Sequence, residues 1–377
     1  MSSMGQVKKM HRLVLRRMGV TSTYNFLVMC ICVCLTVYAV CYFRVDKSKH
    51  PSPEVVLRTN RTYKMIHLHS FPWYYELQMG EKHFEGCPVS NCVYVDKPET
   101  IPESDAIMFY TDHQAGNAPP AKSPGQIWIF FSVESPVHSG NTGFGGPSWE
   151  GKFNWTMSYR LDSDIKFGYG DVVPGGINGT KDYVAIASRK KKHVAWFVSN
   201  CNTQSQRMKY VKLLQNYIPV DIYGHCGKLK CERGRSGECM KMLEQDYKFY
   251  LSFENSLCQD YVTEKLLKTL KTDIVPVARG LADYSALLPS SMMAIVTEDF
   301  ASVSDLAERL NYLADNVGEY VSYLKWKDSY HIVEPQPFPH CLLCERVHQP
   351  SQWSNVYQNV ADWWGRGRCS EAKDISA

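Results

Sequence analysis

The sequence predicts an α/β protein with two Rossmann-like halves facing a cleft. Three observations carry that expectation. From residue 63 to about 185, short apolar runs recur at Met65–Leu68, Val93–Val95, Ala106–Tyr110 and Ile127–Val133, each the length of a buried strand. After the charged boundary Arg189-Lys190-Lys191-Lys192 a second series follows: strand Val194–Val198, polar loop Ser199–Asn202, helix about Gln204–Tyr217 and strand Val220–Tyr223. The third observation is Tyr247–Gly280, where an apolar strand, a polar loop, a short helix with Leu266, Leu267 and Leu270 on one face, and a second strand make a βαβ unit. Beyond it, a helix near Ser304–Ala314 keeps Leu306, Leu310 and Leu313 on one side.

The N-terminus precedes this globule. Phe26–Phe43 is an apolar run of 18 residues broken only by Thr36, with Tyr24 and Tyr42 as interface anchors, the length required to span a bilayer. Five basic residues come before it and no acid before Asp46. The positive-inside rule then makes 1–23 a cytoplasmic tail and 24–43 a signal-anchor, and sends the rest to the lumen; a cleaved signal peptide would carry an apolar core of only about 7–15 residues. Residues 44–62 read as a stem, 63–188 and 189–345 as the two α/β domains, and 346–377 as a C-terminal tail. The formal net charge of +4 resides in the N-terminus, where residues 1–50 hold eight Lys/Arg against Asp46. The remainder has 34 basic and 37 acidic residues, which speaks against nucleic-acid binding.

Cysteine usage fits an oxidising lumen. Of fourteen cysteines, ten lie beyond the anchor: Cys87, Cys92, Cys201, Cys226, Cys231, Cys239, Cys258, Cys341, Cys344 and Cys369. That even number invites disulfides. The Cys341-Leu342-Leu343-Cys344 spacing also suits zinc, but a four-cysteine site needs a second pair; Cys87 and Cys92 are distant disulfide partners for it, and closure of local loops is the alternative. Three sequons, at Asn60, Asn154 and Asn178, are candidates for glycosylation.

Chemistry-bearing residues gather at the ends of the expected strands, where open α/β sheets bind ligands. Glu134 follows the strand ending at Val133 and is a candidate general base, with His138 as competitor. With Asp260 as N-cap, Glu264 and Lys265 fall in the first turn of the βαβ helix, where the helix dipole disfavours a lysine by roughly 0.3–1 kcal/mol. An anion such as a phosphate accounts for it. Arg207 opens the neighbouring βα turn and completes a diphosphate clamp. Glu264 suits ribose hydroxyls, and Asn255 and Tyr261 flank the loop as donor contacts or as turn and core residues. Asp162-Ser163-Asp164 matches a metal-holding DxD, but it follows Tyr159-Arg160-Leu161 rather than an apolar strand, and pairing with Arg160 or local capping is the structural alternative.

Together these segments resemble the α1,3-fucosyltransferase family of animal Golgi enzymes. Phe253–Leu266 (FENSLCQDYVTEKL) with Val275-Pro276-Val277 looks like its donor signature; Phe130–Ser139, Asn154–Ile165 and Val194–Cys201 look like its other landmarks, in the family's order. The resemblance spans about residues 63–345. It implies a GT-B fold with the acceptor on the N-terminal domain and GDP-fucose on the C-terminal one. It places the base on Glu134, the phosphate-binding arginine on Arg207, and donor contacts on Asn255, Tyr261, Glu264 and Lys265. It also implies the pairs Cys87–Cys341 and Cys92–Cys344. Asp273 stands where the family usually has glycine, and Gly168 where it has proline, which bears on loop geometry and acceptor preference.

The expectation is an inverting α1,3-fucosyltransferase, transferring fucose from GDP-β-L-fucose to O3 of GlcNAc on a glycoprotein glycan, either an N-glycan core or an antennal LacNAc or LacdiNAc. It would be a single-pass type II Golgi membrane protein. No metal is required by this scheme, Mn²⁺ entering at most as a stimulant of GDP release. The rivals are a DxD- and metal-dependent UDP-sugar transferase and a non-catalytic luminal glycan-binding protein.

Overall fold

The computed structural model describes residues 61–72, 79–111, 118–139, 143–176, 181–231 and 236–375. The expected tail, anchor and most of the stem lie outside the described residues, as do the sequons at Asn60 and Asn178. Among the described residues no helix is long and apolar enough to cross a membrane.

Residues 60–377 group as one compact unit containing two parallel sheets. The first is built from β1 (Lys64–His69), β2 (Cys92–Val95), β3 (Ala106–Tyr110), β4 (Ile127–Ser132), β5 (Trp155–Ser158) and β6 (Ile165–Lys166), in the order β2-β1-β3-β4-β5-β6. Its central strands, β3 (AIMFY) and β4 (IWIFFS), are almost wholly apolar because both faces are covered. In β4 the two-residue period sends Ile129 and Phe131 into one core and Trp128 and Phe130 into another. A separate two-stranded sheet was not expected: β7 (Asp171–Pro174) leaves this half to pair, antiparallel, with a strand in the register His331↔Val173, 158 residues along the chain.

The second half begins with α1 (Tyr183–Arg189), capped by Asp182, and continues through β8 (Lys192–Phe197), α2 (Arg207–Leu214), β9 (Val220–Tyr223), α3 (Ser236–Asp246), β10 (Tyr247–Phe253), α4 (Glu264–Leu270), β11 (Val275–Arg279) and β12 (Ile295–Val296). Its strand order is β12-β11-β10-β8-β9. The order reverses between β8 and β10, so a crevice opens beyond their carboxyl ends. Next, α5 (Val303–Asp315) buries Val303, Leu306, Ala307, Leu310, Leu313 and Ala314 against this sheet, with Ser302 as its cap. Each buried leucine contributes about 1.5–3 kcal/mol. After α6 (Val317–Ser322) and β13 (Tyr330–Val333) the chain returns to the first sheet.

There α7 (Pro339–His348) packs Leu343, Cys344 and Val347 into the first core. Disulfides Cys87–Cys341 and Cys92–Cys344 fasten it, as the resemblance implies. Cys201–Cys226, Cys231–Cys239 and Cys258–Cys369 are also paired. The segment 346–377, a C-terminal tail by sequence, is structured through Ile375: α8 (Val360–Gly365) packs Trp364 against Phe130, and Ile375 is buried in the second core.

Candidate active site

Glu134 leaves the end of β4 through a fixed turn. Its backbone carbonyl accepts from Ser132 Oγ at 3.1 Å, and the carbonyl of Val133 accepts from the Tyr169 hydroxyl at 2.7 Å. The carboxylate, half-buried, accepts a hydrogen bond at 2.9 Å from the hydroxyl of Tyr261, which comes from the other half of the molecule. A second bridge lies beside it, Ser135 Oγ to Ser256 Oγ at 2.6 Å. Tyr261 is buried with its ring 4.9 Å from that of Tyr159; burial first, and the Glu134 charge second, hold its phenol well above the ordinary range, so it remains a hydrogen-bond donor at neutral pH. The competing base, His138, is exposed.

Across the crevice, Arg207 is the first residue of α2. The helix starts there, not at Gln204, because Gln206 adopts a left-handed conformation with φ 48°. Arg207 is buried over Trp196, donating from Nη1 to Phe253 O at 2.7 Å and from Nη2 to Asn200 O at 3.3 Å. Its Nε has no partner among the described residues, and burial lowers the guanidinium pKa. The guanidinium therefore ties β8's loop to β10's end through Nη1 and Nη2 and leaves the Nε–H as a donor for a ligand.

The N-cap of α4 is a correction. Thr263, not Asp260, caps the helix: its hydroxyl accepts from the Lys265 N–H, whereas Asp260 sits at φ 59° with its carboxylate turned to Leu161 N. Glu264 and Lys265 remain in the first turn. Lys265 Nζ lies 2.9 Å from Glu254 Oε2, 2.6 Å from Thr263 Oγ1 and 3.5 Å from Glu264 Oε1. A carboxylate of the chain itself thus supplies the anion that the lysine's position implied. Burial opposes ionisation of Glu264, yet the Lys265 ammonium and neighbouring hydrogen bonds lower its pKa overall. Asn255 turns its Oδ1 to Ser256 Oγ at 3.0 Å and its backbone carbonyl to Ser205 N at 3.1 Å.

The acids of Asp162-Ser163-Asp164 have partners. Asp162 pairs with Arg160, itself stacked on Trp363, and Asp164 accepts from Thr156 N, Thr156 Oγ1 and the Tyr357 hydroxyl. Asp273 holds Lys181 in an ion pair at 2.8 Å. Asn154 is half-buried, its Oδ1 accepting from Lys122 Nζ and Trp128 N.

Two family models match the halves just described: "Fucosyltransferase, N-terminal" over residues 61–170 and "Glycosyltransferase family 10 (fucosyltransferase) C-term" over 187–363. The chain belongs to glycosyltransferase family 10. It is 36% identical over 305 residues to alpha-(1,3)-fucosyltransferase C of Drosophila melanogaster, spanning 74% of this chain and 70% of that one. To the 3-galactosyl-N-acetylglucosaminide 4-alpha-L-fucosyltransferase FUT3 of Bos taurus it is 35% identical, with 73% and 74% covered. A solved alpha1,3-fucosyltransferase with GDP shares the fold with a TM-score of 0.51 at 14% identity, covering 81% of this chain and 95% of that one.

In this family 10 glycosyltransferase, sequence reasoning missed two parts of the site. One is Glu254, the first residue after an apolar strand and the partner of Lys265; its position at a strand's carboxyl end was the available signal. The other is the C-terminal strap. Cys369 is bonded to Cys258, Ser370 exchanges hydrogen bonds with Leu257 and Gln204, and Asp374 grips the buried Arg279 at 2.7–2.8 Å. These contacts lace the loop 254–261 in place, and only the even cysteine count hinted at them.

Proposed function

We propose that this glycosyltransferase is an inverting α1,3-fucosyltransferase, using GDP-β-L-fucose as donor and O3 of a GlcNAc residue on a glycoprotein glycan as acceptor. The observation that carries the reading is the 2.9 Å hydrogen bond joining Glu134 to Tyr261, because it brings a carboxylate base from one half onto the loop that follows β10 in the other. Glu134 takes the proton of the acceptor hydroxyl as that oxygen attacks the anomeric carbon. The new C–O bond forms as the bond to the diphosphate breaks, and GDP departs with the electron pair. Arg207 and Lys265 meet the chain at consecutive residues, Phe253 and Glu254, and stabilise the departing charge. A single displacement converts the β-linked donor into an α-linked product. Glu264 and Asn255 serve the nucleoside side of the donor. The donor assignment is supported by relatives named as fucosyltransferases, and a signal-anchor over 24–43 would hold the enzyme in the Golgi membrane with this site luminal.

Asp162 and Asp164 are engaged by Arg160, Thr156 and Tyr357, so the scheme assigns them no metal. The test is incubation with GDP-fucose and both N-glycan core and antennal acceptors, with and without EDTA, followed by linkage analysis of the product. Fucose on GlcNAc O3, formed in EDTA, is expected. Transfer from UDP-sugars that EDTA abolishes and Mn²⁺ restores would overturn the reading, as would donor binding without transfer to any acceptor.

A further inference from the structure

The end of β10 holds a charge pair whose consequence goes beyond the transfer step. Glu254 is 1% exposed and accepts from Thr263 N at 2.9 Å and Thr263 Oγ1 at 3.0 Å, with Lys265 Nζ 2.9 Å from Oε2. Its backbone is held as well, N–H to Arg279 O at 3.0 Å and carbonyl from Ser205 Oγ at 2.7 Å. The other ionisable groups that bear on it are Glu264 from its partner's helix, Arg207 from α2, Tyr261 from the loop, Tyr159 beyond β5 and Tyr284 beyond β11. Lys265, at 25% side-chain exposure, is the member of the pair that a ligand can reach.

Resting on the GDP-fucose reading above, we propose that Glu254 positions Lys265 for the donor and takes up a proton from solvent when the diphosphate draws the ammonium away. Without donor, the carboxylate holds the ammonium at the crevice and spares it several free rotamers. With donor, the ammonium is shared with a diphosphate and further negative charge arrives beside a carboxylate that cannot rehydrate. Loss of a counterion and approach of like charge both favour the neutral acid. Burial already raises the Glu254 pKa, with Lys265 the main opposing charge. The neutral form fits the same contacts: one oxygen accepts from Thr263 N while the protonated one donates to Thr263 Oγ1. Uptake of a proton on binding means that the donor binds more tightly as pH falls between the free and donor-bound pKa of Glu254.

Calorimetry of GDP-fucose binding in two buffers of different ionisation heat tests this without any variant, because a diphosphate esterified at both ends carries no titrating proton near neutrality. The wild-type protein should take up a proton, up to one per donor, with affinity rising by at most tenfold per pH unit lowered. Uptake should vanish in Glu254→Gln and persist in Glu264→Gln. Binding without uptake in the wild type, or unchanged uptake in Glu254→Gln, overturns the proposal. If Glu254→Gln does not fold, Glu254→Asp must keep the uptake with a displaced pH midpoint, and an unmoved midpoint overturns it. Absence of any GDP-fucose binding is a separate result that overturns the donor assignment and this proposal with it.

Discussion

Glu134 and Tyr261 are 127 residues apart and meet through one hydrogen bond, so their substitutions separate the proposed base from the residue that holds it. Glu134→Gln retains an oxygen that can accept from Tyr261 but loses the proton acceptor. It should lower kcat by roughly 10²–10⁴-fold while GDP affinity stays at the wild-type value; equal loss of both would show that Glu134 is structural. Tyr261→Phe preserves the ring against Tyr159 and removes a hydrogen bond to a charged group worth about 1.5–3 kcal/mol. Transfer should fall roughly 10- to 100-fold in steady-state assays, and a wild-type rate would refute a role in orienting the base. Glu134 and Glu254 both stand where an apolar strand gives way to a polar loop, a position the sequence shows for each; what sets Glu254 apart is its complete burial beside Lys265, a tertiary fact. Arg207 was legible as a cation opening a helix, but its bonds to two backbone carbonyls depend on how β8 and β10 lie together.

At the scale of elements, α4 shows where a sequence pattern stops short. Asp260 and Thr263 both suit an N-cap, and the choice is made by a contact from the other half, Leu161 N to the Asp260 carboxylate at 3.1 Å. Thr263 does more than cap: its hydroxyl touches both Glu254 oxygens and Lys265 Nζ. Thr263→Val should therefore lower stability by about 0.5–2 kcal/mol through the lost cap, seen as a lower melting temperature, and also weaken GDP binding. A lowered melting temperature with unchanged GDP affinity would confine Thr263 to capping. Strands with continuous apolar runs were legible because burial on both faces leaves no polar position to obscure them. The β7–β13 pair was not: its strands are short, only partly buried, and paired across the length of the second half. Helix α7 is masked by its own chemistry, since the Cys341–Cys344 spacing also suits a metal or disulfides, whereas Leu343, Cys344 and Val347 lie on its buried face.

Over the whole molecule, the chain crosses between the two halves more often than two consecutive domains require. It leaves the second sheet for α7 and α8 on the first, then returns so that Cys369 reaches Cys258, Asp374 reaches Arg279 and Ile375 enters the second core. The loop carrying Asn255 and Tyr261 is thus held by the last part of the chain as well as by its own strand. Replacing both Cys258 and Cys369 with alanine releases a crosslink spanning 111 residues, for which loop-closure entropy gives a stabilisation of about 4.7 kcal/mol as a model limit. Cys231 and Cys239 are 8 residues apart and bonded within the second half, outside that loop; the same relation gives about 2.5 kcal/mol for them. Both double variants should unfold at lower urea concentration. Only the first should raise the KM for GDP-fucose by more than it lowers kcat, because only it frees the donor loop. Equal KM in the two variants, with the midpoints shifted as expected, would mean that the strap stabilises the fold without positioning the site.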